Sequence, residues 1–174
     1  MRTIFLFTLL TIFGINSFGQ KITGIGGELS MLAFKPNARM WISRTKGFEV
    51  FGGVSSELTG GFKPNDYEGG LKLLNTFIYN RTNRSYFGLM GKWKWMNLNV
   101  DESNVKVNLP VFGILIGKEW LSKRLPRKGF AIELGYQYGV KKYEVPIAGQ
   151  NNPTQLYDEF PLILNLRYTF YKKK

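Results

Sequence analysis

From residue 22 onward, bulky apolar residues alternate with small or polar ones, in runs broken by Gly, Asn, Pro and charged clusters. A period of two predicts β-strands with two unlike faces, because successive side chains on a strand point to opposite sides. The clearest run sets Phe130, Ile132, Leu134, Tyr136, Tyr138 and Val140 against Ala131, Glu133, Gly135, Gln137, Gly139 and Lys141. A later run sets Phe160, Leu162, Leu164, Leu166, Tyr168 and Phe170 against Pro161, Ile163, Asn165, Arg167, Thr169 and Tyr171. Two others follow suit. Phe87, Leu89, Gly91, Trp93 and Trp95 oppose Tyr86, Gly88, Met90, Lys92 and Lys94, and Phe48, Val50, Val54 and Leu58 oppose Glu49, Phe51, Ser55 and Glu57. The pattern predicts eight strands, over 22–32, 38–45, 48–58, 69–79, 84–97, 104–117, 129–141 and 159–171.

Alternation alone fits a soluble sandwich or barrel as well as a membrane barrel. Three features favour the membrane version. The best runs reach 11 to 14 residues, longer than the usual strands of soluble sheets and long enough to cross a bilayer at a tilt. Aromatic pairs, Trp93 with Trp95 and Tyr168 with Phe170, stand near strand ends, where rings sit at headgroup level. The strand count is even, so the sheet closes with both termini on one side. The expected fold is all-β: an eight-stranded antiparallel up-and-down transmembrane barrel.

The connections suit it. Those at 43–46, 80–84 and 122–128 are brief and carry no acid, whereas 59–68, 97–103 and 142–158 are longer and hold neighbouring acids. This length asymmetry places the brief basic turns on the periplasmic side. A short first outward loop at 34–37 is an exception. Two runs are less regular. Lys72 and Thr76 share a face with Leu74 and Ile78, and Pro110, Phe112, Ile114 and Ile116 share one with Lys106, Asn108 and Lys118. Pro110 cannot donate to a ladder, so a bulge or a misread strand is expected there.

Residues 1–20 differ from the rest. Arg2 precedes an apolar stretch from Ile4 to Ile15, and Ser17, Phe18, Gly19 and Gln20 close it with small and polar residues. This is the layout of a secretory signal peptide, and its core is too short for a spanning helix of about 20 residues. Residues 21–174 are then the barrel domain.

Composition narrows the chemistry. The chain has no cysteine and no histidine, which removes disulfides, the usual zinc ligands and the commonest general base. A net charge of +12 raises nucleic acid or anionic lipid as partners; export argues against nucleic acid. Candidate interior charges are Glu28, Arg39, Glu49, Glu57, Lys72, Lys92, Lys94, Glu133, Lys141 and Arg167, which in a narrow lumen must pair or stay hydrated. Glu28, Glu49, Glu57 and Glu133 would serve hydrolysis only as a close pair, and no serine has a histidine to activate it. Gly24, Gly26 and Gly27 miss the dinucleotide-binding spacing at Leu29 and are expected to relieve crowding within a strand. The sequon-like Asn80-Arg81-Thr82 and Asn83-Arg84-Ser85 read as a polar turn. No catalytic, cofactor-binding or metal-binding residue is assigned, no cofactor is expected, and the chain is read as not an enzyme.

The signal-like segment, the alternating strands and the terminal Leu164-x-Leu166-x-Tyr168-x-Phe170 resemble the small outer-membrane β-barrels of Gram-negative bacteria, in the OmpA/OmpX/OmpW-like group. Phe18-Gly19-Gln20 resembles the signal tails of Bacteroidetes secreted proteins. Three lysines follow Tyr171, which displaces the aromatic-ended strand from the true terminus. The resemblance implies an address in the cell outer membrane, with membrane lipid and the barrel-assembly machinery as partners and envelope or extracellular ligands at the loops. It carries over no catalytic residue. The expected function is a non-enzymatic barrel with a structural or surface-binding role and a plugged lumen. The alternative is a conduit or binder for small hydrophobic molecules, using an apolar lumen around Leu74, Phe112, Ile114 and Ile116.

Overall fold

The computed structural model describes residues 22–30, 33–55, 66–100, 103–123, 127–144 and 154–173. Among these described residues ten strands follow one another: β1 (Ile22–Ser30), β2 (Ala33–Trp41), β3 (Lys46–Ser55), β4 (Tyr67–Tyr79), β5 (Asn83–Val100), β6 (Ser103–Leu121), β7 (Arg127–Tyr138), β8 (Val140–Glu144), β9 (Thr154–Asp158) and β10 (Leu162–Lys173). All but β8 and β9 close into an antiparallel barrel in which each strand pairs with its sequence neighbours and β1 returns to β10. Closure pairs each barrel strand on both sides except where β5 and β6 project beyond their outer neighbours, and paired edges are what a sheet in lipid requires.

The alternating runs form these strands because their two faces meet opposite surroundings. On β10, Leu162, Leu164, Leu166, Tyr168 and Phe170 are 40–58% exposed, while Arg167 and Thr169 are 1% and 0% exposed. The same polarity holds on β5 and β7, with Leu89, Trp93, Leu134 and Tyr136 outside and Lys94, Glu119's neighbour Ala131, and Glu133 inside. Apolar wall and charged interior invert the plan of a soluble domain and match that of a membrane barrel.

The connections between β2 and β3, β4 and β5, and β6 and β7 lie at one end, together with Ile22 and Lys173. Local chemistry explains one of them: the backbone N–H groups of Thr45 and Lys46 donate to Ser43 Oγ at 3.2 and 2.9 Å, a side-chain turn that reverses the chain tightly. The opposite end is taller. β5 and β6 run 18 and 19 residues, well beyond what spanning needs, and their ladder continues to Val100 and Ser103. Met96, Val107, Leu109 and Val111 make a second apolar cluster there, and Tyr157 of β9 packs on it.

Several boundaries differ from expectation. The expected first loop at 34–37 lies inside β2, and only residues 31–32 separate β1 from β2. The expected loop at 97–103 is largely strand, and 142–158 includes most of the β8/β9 hairpin. Strand 129–141 ends at Tyr138, with Val140 and Lys141 passing to β8, and the last strand begins at Leu162. Leu58 and Glu57 fall outside the described residues.

Pro110 needs no bulge: it pairs with Trp93 in unbroken register, and the β6–β7 ladder starts only at Phe112. The missing N–H therefore sits where β6 has outrun β7 and has no second ladder to feed. A bulge occurs instead between Thr76 and Ile78 of β4. The extra residue puts both Phe77 and Ile78 outside, so Ile78 does not join Leu74 in the lumen.

Candidate functional site in the barrel lumen

The lumen-facing residues of eight strands converge on two connected layers of charge. In the deeper layer, β2 supplies Arg39, β3 Glu49, β4 Lys72, β6 Glu119, β7 Glu133 and β10 Arg167. Arg39 meets Glu49 at 2.6 Å and Glu133 at 2.9 Å. Lys72 lies 3.1 Å from Glu49 and 2.7 Å from Glu133, and it also bonds Glu28 of β1. Arg167 pairs with Glu133, with Glu49 at 3.1 Å and with Glu119 at 3.2 Å. Two phenols complete the layer. Tyr86 donates to Glu133 at 2.7 Å and Tyr171 to Glu119 at 2.6 Å. Trp41 closes it from below, edge-on to Tyr86, with the Arg84 guanidinium 3.8 Å from its ring centre.

The outer layer is joined to the deeper one through Glu28, which also holds Lys35 at 2.7 Å. Lys35 reaches Glu68 at 3.1 Å, Glu68 holds Lys92 at 3.0 Å, and Glu159 binds Lys92 and Lys94 at 3.2 and 2.8 Å. Gln137 ties Glu159 to the wall, donating to its carboxylate at 3.2 Å and to the Phe160 carbonyl at 2.7 Å.

Among the described residues the buried acids are Glu28, Glu49, Asp66, Glu68, Glu119, Glu133 and Glu159. The buried bases are Lys35, Arg39, Lys72, Arg84, Lys92, Lys94 and Arg167. Seven face seven. The balance matters because an unpaired buried charge costs several kcal/mol, whereas a paired and hydrogen-bonded one is tolerated.

Two glycines make room for this packing. A Cβ on Gly117 would lie 2.6 Å from the ring of Tyr86, its cross-strand partner, and one on Gly47 would lie 2.6 Å from Trp41, likewise its partner. Each bare backbone is roofed by an aromatic ring, which covers the glycine and holds the ring flat across the lumen. A cavity between the outer layer and β10 measures about 30 Å³, lined by Lys35, Glu68, Lys92, Gln137 and Glu159. That is space for about two waters.

Of the expected interior charges, Glu28, Arg39, Glu49, Lys72, Lys92, Lys94, Glu133 and Arg167 are inside. Lys141 is exposed on the β8/β9 hairpin, and Glu57 lies outside the described residues. Lys35, Asp66, Glu68, Arg84, Glu119 and Glu159 were not anticipated. Lys35, Asp66, Glu68 and Glu119 sit where an expected strand stopped short or an expected loop ran on, whereas Arg84 and Glu159 open the expected strands 84–97 and 159–171 on the lumen phase and were not counted.

The candidate carboxylates do gather: Glu28, Glu49 and Glu133 bring oxygens within 4.8 Å of one another. The Lys72 ammonium stands among them and forms ion pairs with all three, so this cation site is filled by the chain's own side chain. Their oxygens turn to cations and leave no space for a substrate. The apolar-lumen residues, by contrast, are dispersed. Phe112, Ile114 and Ile116 are 67, 61 and 55% exposed on the outer wall, and only Leu74 points inward. The reason is the phase of β6, whose odd-numbered residues Leu109, Val111, Leu115 and Glu119 face in.

No family model and no curated protein matches the sequence. Solved structures do resemble the fold. The N-terminal β-barrel domain of OprF from Pseudomonas aeruginosa superposes with a TM-score of 0.58 at 9% identity, over 88% of this chain and 98% of that one. Neisserial surface protein A (NspA) gives 0.48 at 14% identity, over 87% and 94%. The Yersinia pestis outer membrane protein Ail gives 0.37 at 12% identity, over 87% and 99%. The likeness to OprF, with the closed order of strands and the inverted polarity of the wall, shows that this chain has the fold of an eight-stranded, outer-membrane-type β-barrel.

Proposed function

We propose that the chain is a non-enzymatic barrel of the bacterial outer membrane, shut by its own ion-paired lumen, with a structural or surface-binding role. The observation that carries this reading is the balanced packing of acids and bases across the whole cross-section, from Trp41 to Glu159. Eight strands enclose an interior that side chains fill, and here those side chains hold one another. What remains for contact with other molecules is the tall end, where β5 and β6 project and the β8/β9 hairpin docks on them. The alternating wall and the terminal aromatic strand support a place in the OmpA/OmpX/OmpW-like group, and Phe18-Gly19-Gln20 supports a Bacteroidetes type. Residues 1–20 are then a signal peptide removed on export, and the mature barrel reaches the membrane through the assembly machinery.

Planar-bilayer recording tests the closed lumen. The folded monomer is expected to leave conductance at the protein-free level. A steady, reproducible open channel would overturn the reading.

A further inference from the structure

The seven buried acids and seven buried bases cancel, so the excess of 24 basic over 12 acidic residues lies elsewhere. Among the described residues it is not spread evenly. The short-turn end carries Arg44, Arg81, Lys118, Lys123, Lys128 and Lys172, all exposed, and no exposed acid. The described acids outside the lumen, Glu144 and Asp158, belong to the β8/β9 hairpin at the other end.

These cations stand where the apolar wall ends. The Lys118 ammonium lies 5.4 Å from the centre of the Trp120 ring and that of Lys128 lies 5.9 Å from Phe170, while Trp120 stacks on Phe130 at 6.0 Å. Lysines paired with interfacial rings extend to headgroup level, where anionic phosphates are found. Lys128 and Phe170 are cross-strand partners, and Lys172 follows Phe170 on the same face of β10.

A second, independent feature meets them there. Two apolar grooves open on the outer wall of β1, which is bare at Gly27, with Ala38 the one small side chain that β2 sets beside it. One, of about 440 Å³, is lined by Ile25, Ala38, Met40, Phe48, Phe170 and Lys172. The other, of about 340 Å³, continues from Phe170 toward Gly27 and Phe34. A channel of this kind on a lipid-facing wall, ending at a lysine, fits a fatty chain whose headgroup is negative.

We propose that the short-turn rim is a binding site for an anionic phospholipid, with Lys128 and Lys172 holding the phosphate on either side of Phe170 and one acyl chain lying in the β1 groove. The proposal rests on the membrane reading above, so the test must separate the two. The full-length barrel is reconstituted in nanodiscs of mixed phosphatidylglycerol and phosphatidylcholine, and its folded state is checked by the heat-dependent gel shift. Native mass spectrometry then counts retained lipids. Phosphatidylglycerol is expected to be enriched over its share in the disc. Lys128→Gln with Lys172→Gln should reduce that enrichment roughly tenfold or more, since each lysine near such a surface contributes about 1 kcal/mol. Lys141→Gln with Lys142→Gln, on the hairpin, should leave it unchanged. Ala38→Trp, which fills the groove without entering the lumen, should also lower it. A folded wild-type barrel retaining both lipids alike, a loss as large in the hairpin variant, or indifference to Ala38→Trp overturns the proposal and leaves the membrane reading standing. Failure of the wild type to insert at all defeats that reading instead.

Discussion

Glu133 meets three cations, a phenol and the amide of Asn165, the last at 3.3 Å. Its side chain has no solvent exposure, so none of these partners can turn to water if the charge is removed. Glu133→Gln keeps the shape and deletes the charge. It is expected to destabilise the folded barrel by about 3–5 kcal/mol, the range for breaking a buried pair. Denaturant unfolding from phospholipid vesicles measures this. Lys141→Ala, at the exposed hairpin position, should stay within about 0.5 kcal/mol of wild type. A loss below about 1 kcal/mol at Glu133 would mean that water reaches the network and screens it. The acid itself was legible from its place opposite Leu134. Its partners were not, because register decides which cation of another strand comes to stand beside it.

At the scale of the strand, the four tryptophans separate the two faces without any new side chain. Trp93, Trp95 and Trp120 are 40–44% exposed on the wall, while Trp41 is sealed in the lumen. Brominated lipids quench only rings they touch. In single-tryptophan variants reconstituted in such lipids, Trp93, Trp95 and Trp120 are expected to be quenched and Trp41 spared. Quenching of Trp41 to the same degree would contradict the inward phase of β2. Most strand bodies could be read from period two, since one inward position sets all the others on that strand. The ends could not. Lys35 was placed in a turn and Glu119 beyond a strand, although both continue the alternation, because hairpin ends are set by the ladder across the gap and not by the local pattern. Ile78 was misplaced by the bulge at Phe77, which shifts the phase by one residue.

At the scale of the molecule, Glu159 ties the tall end to the lumen. It lies between β9 and β10, its carboxylate holds Lys92 and Lys94, and its backbone N–H donates to the Gly139 carbonyl at 2.8 Å. The whole excursion from Val140 to Asp158 is thereby pinned at both ends to one spot. Glu159→Ala removes the carboxylate's hold on Lys92 and Lys94, keeps the backbone bond to Gly139, and leaves Lys92 with Glu68 as its remaining acid. The barrel should still fold, because the deeper layer is untouched, but the hairpin should loosen. Limited proteolysis of the reconstituted protein is expected to cut between residues 140 and 158 at least several-fold faster than in wild type. An unchanged rate would show that the Tyr157 contact with the Met96–Val111 cluster and the backbone bond to Gly139 hold the hairpin without the carboxylate.

By itself the amino-acid sequence determined the class of fold, the number of barrel strands and which face of β3, β5, β7 and β10 is charged. These follow from local alternation, and alternation is printed along the chain. It also showed that charges such as Glu49, Lys72 and Arg167 would have to pair or stay hydrated. Only the tertiary structure decided the pairing. Closure of β1 on β10 brings Glu28 opposite Arg167 in sequence register, yet Glu28 spends its carboxylate on Lys72 of β4 and Lys35 of β2, reached across the lumen and from the next strand. Closure likewise turned Phe112, Ile114 and Ile116 outward, because the register of β6 against β5 and β7 puts Glu119 and Leu115 inside. Such partners are distant in sequence and meet only when the sheet is wrapped into a cylinder, so no reading of one strand at a time could have joined them.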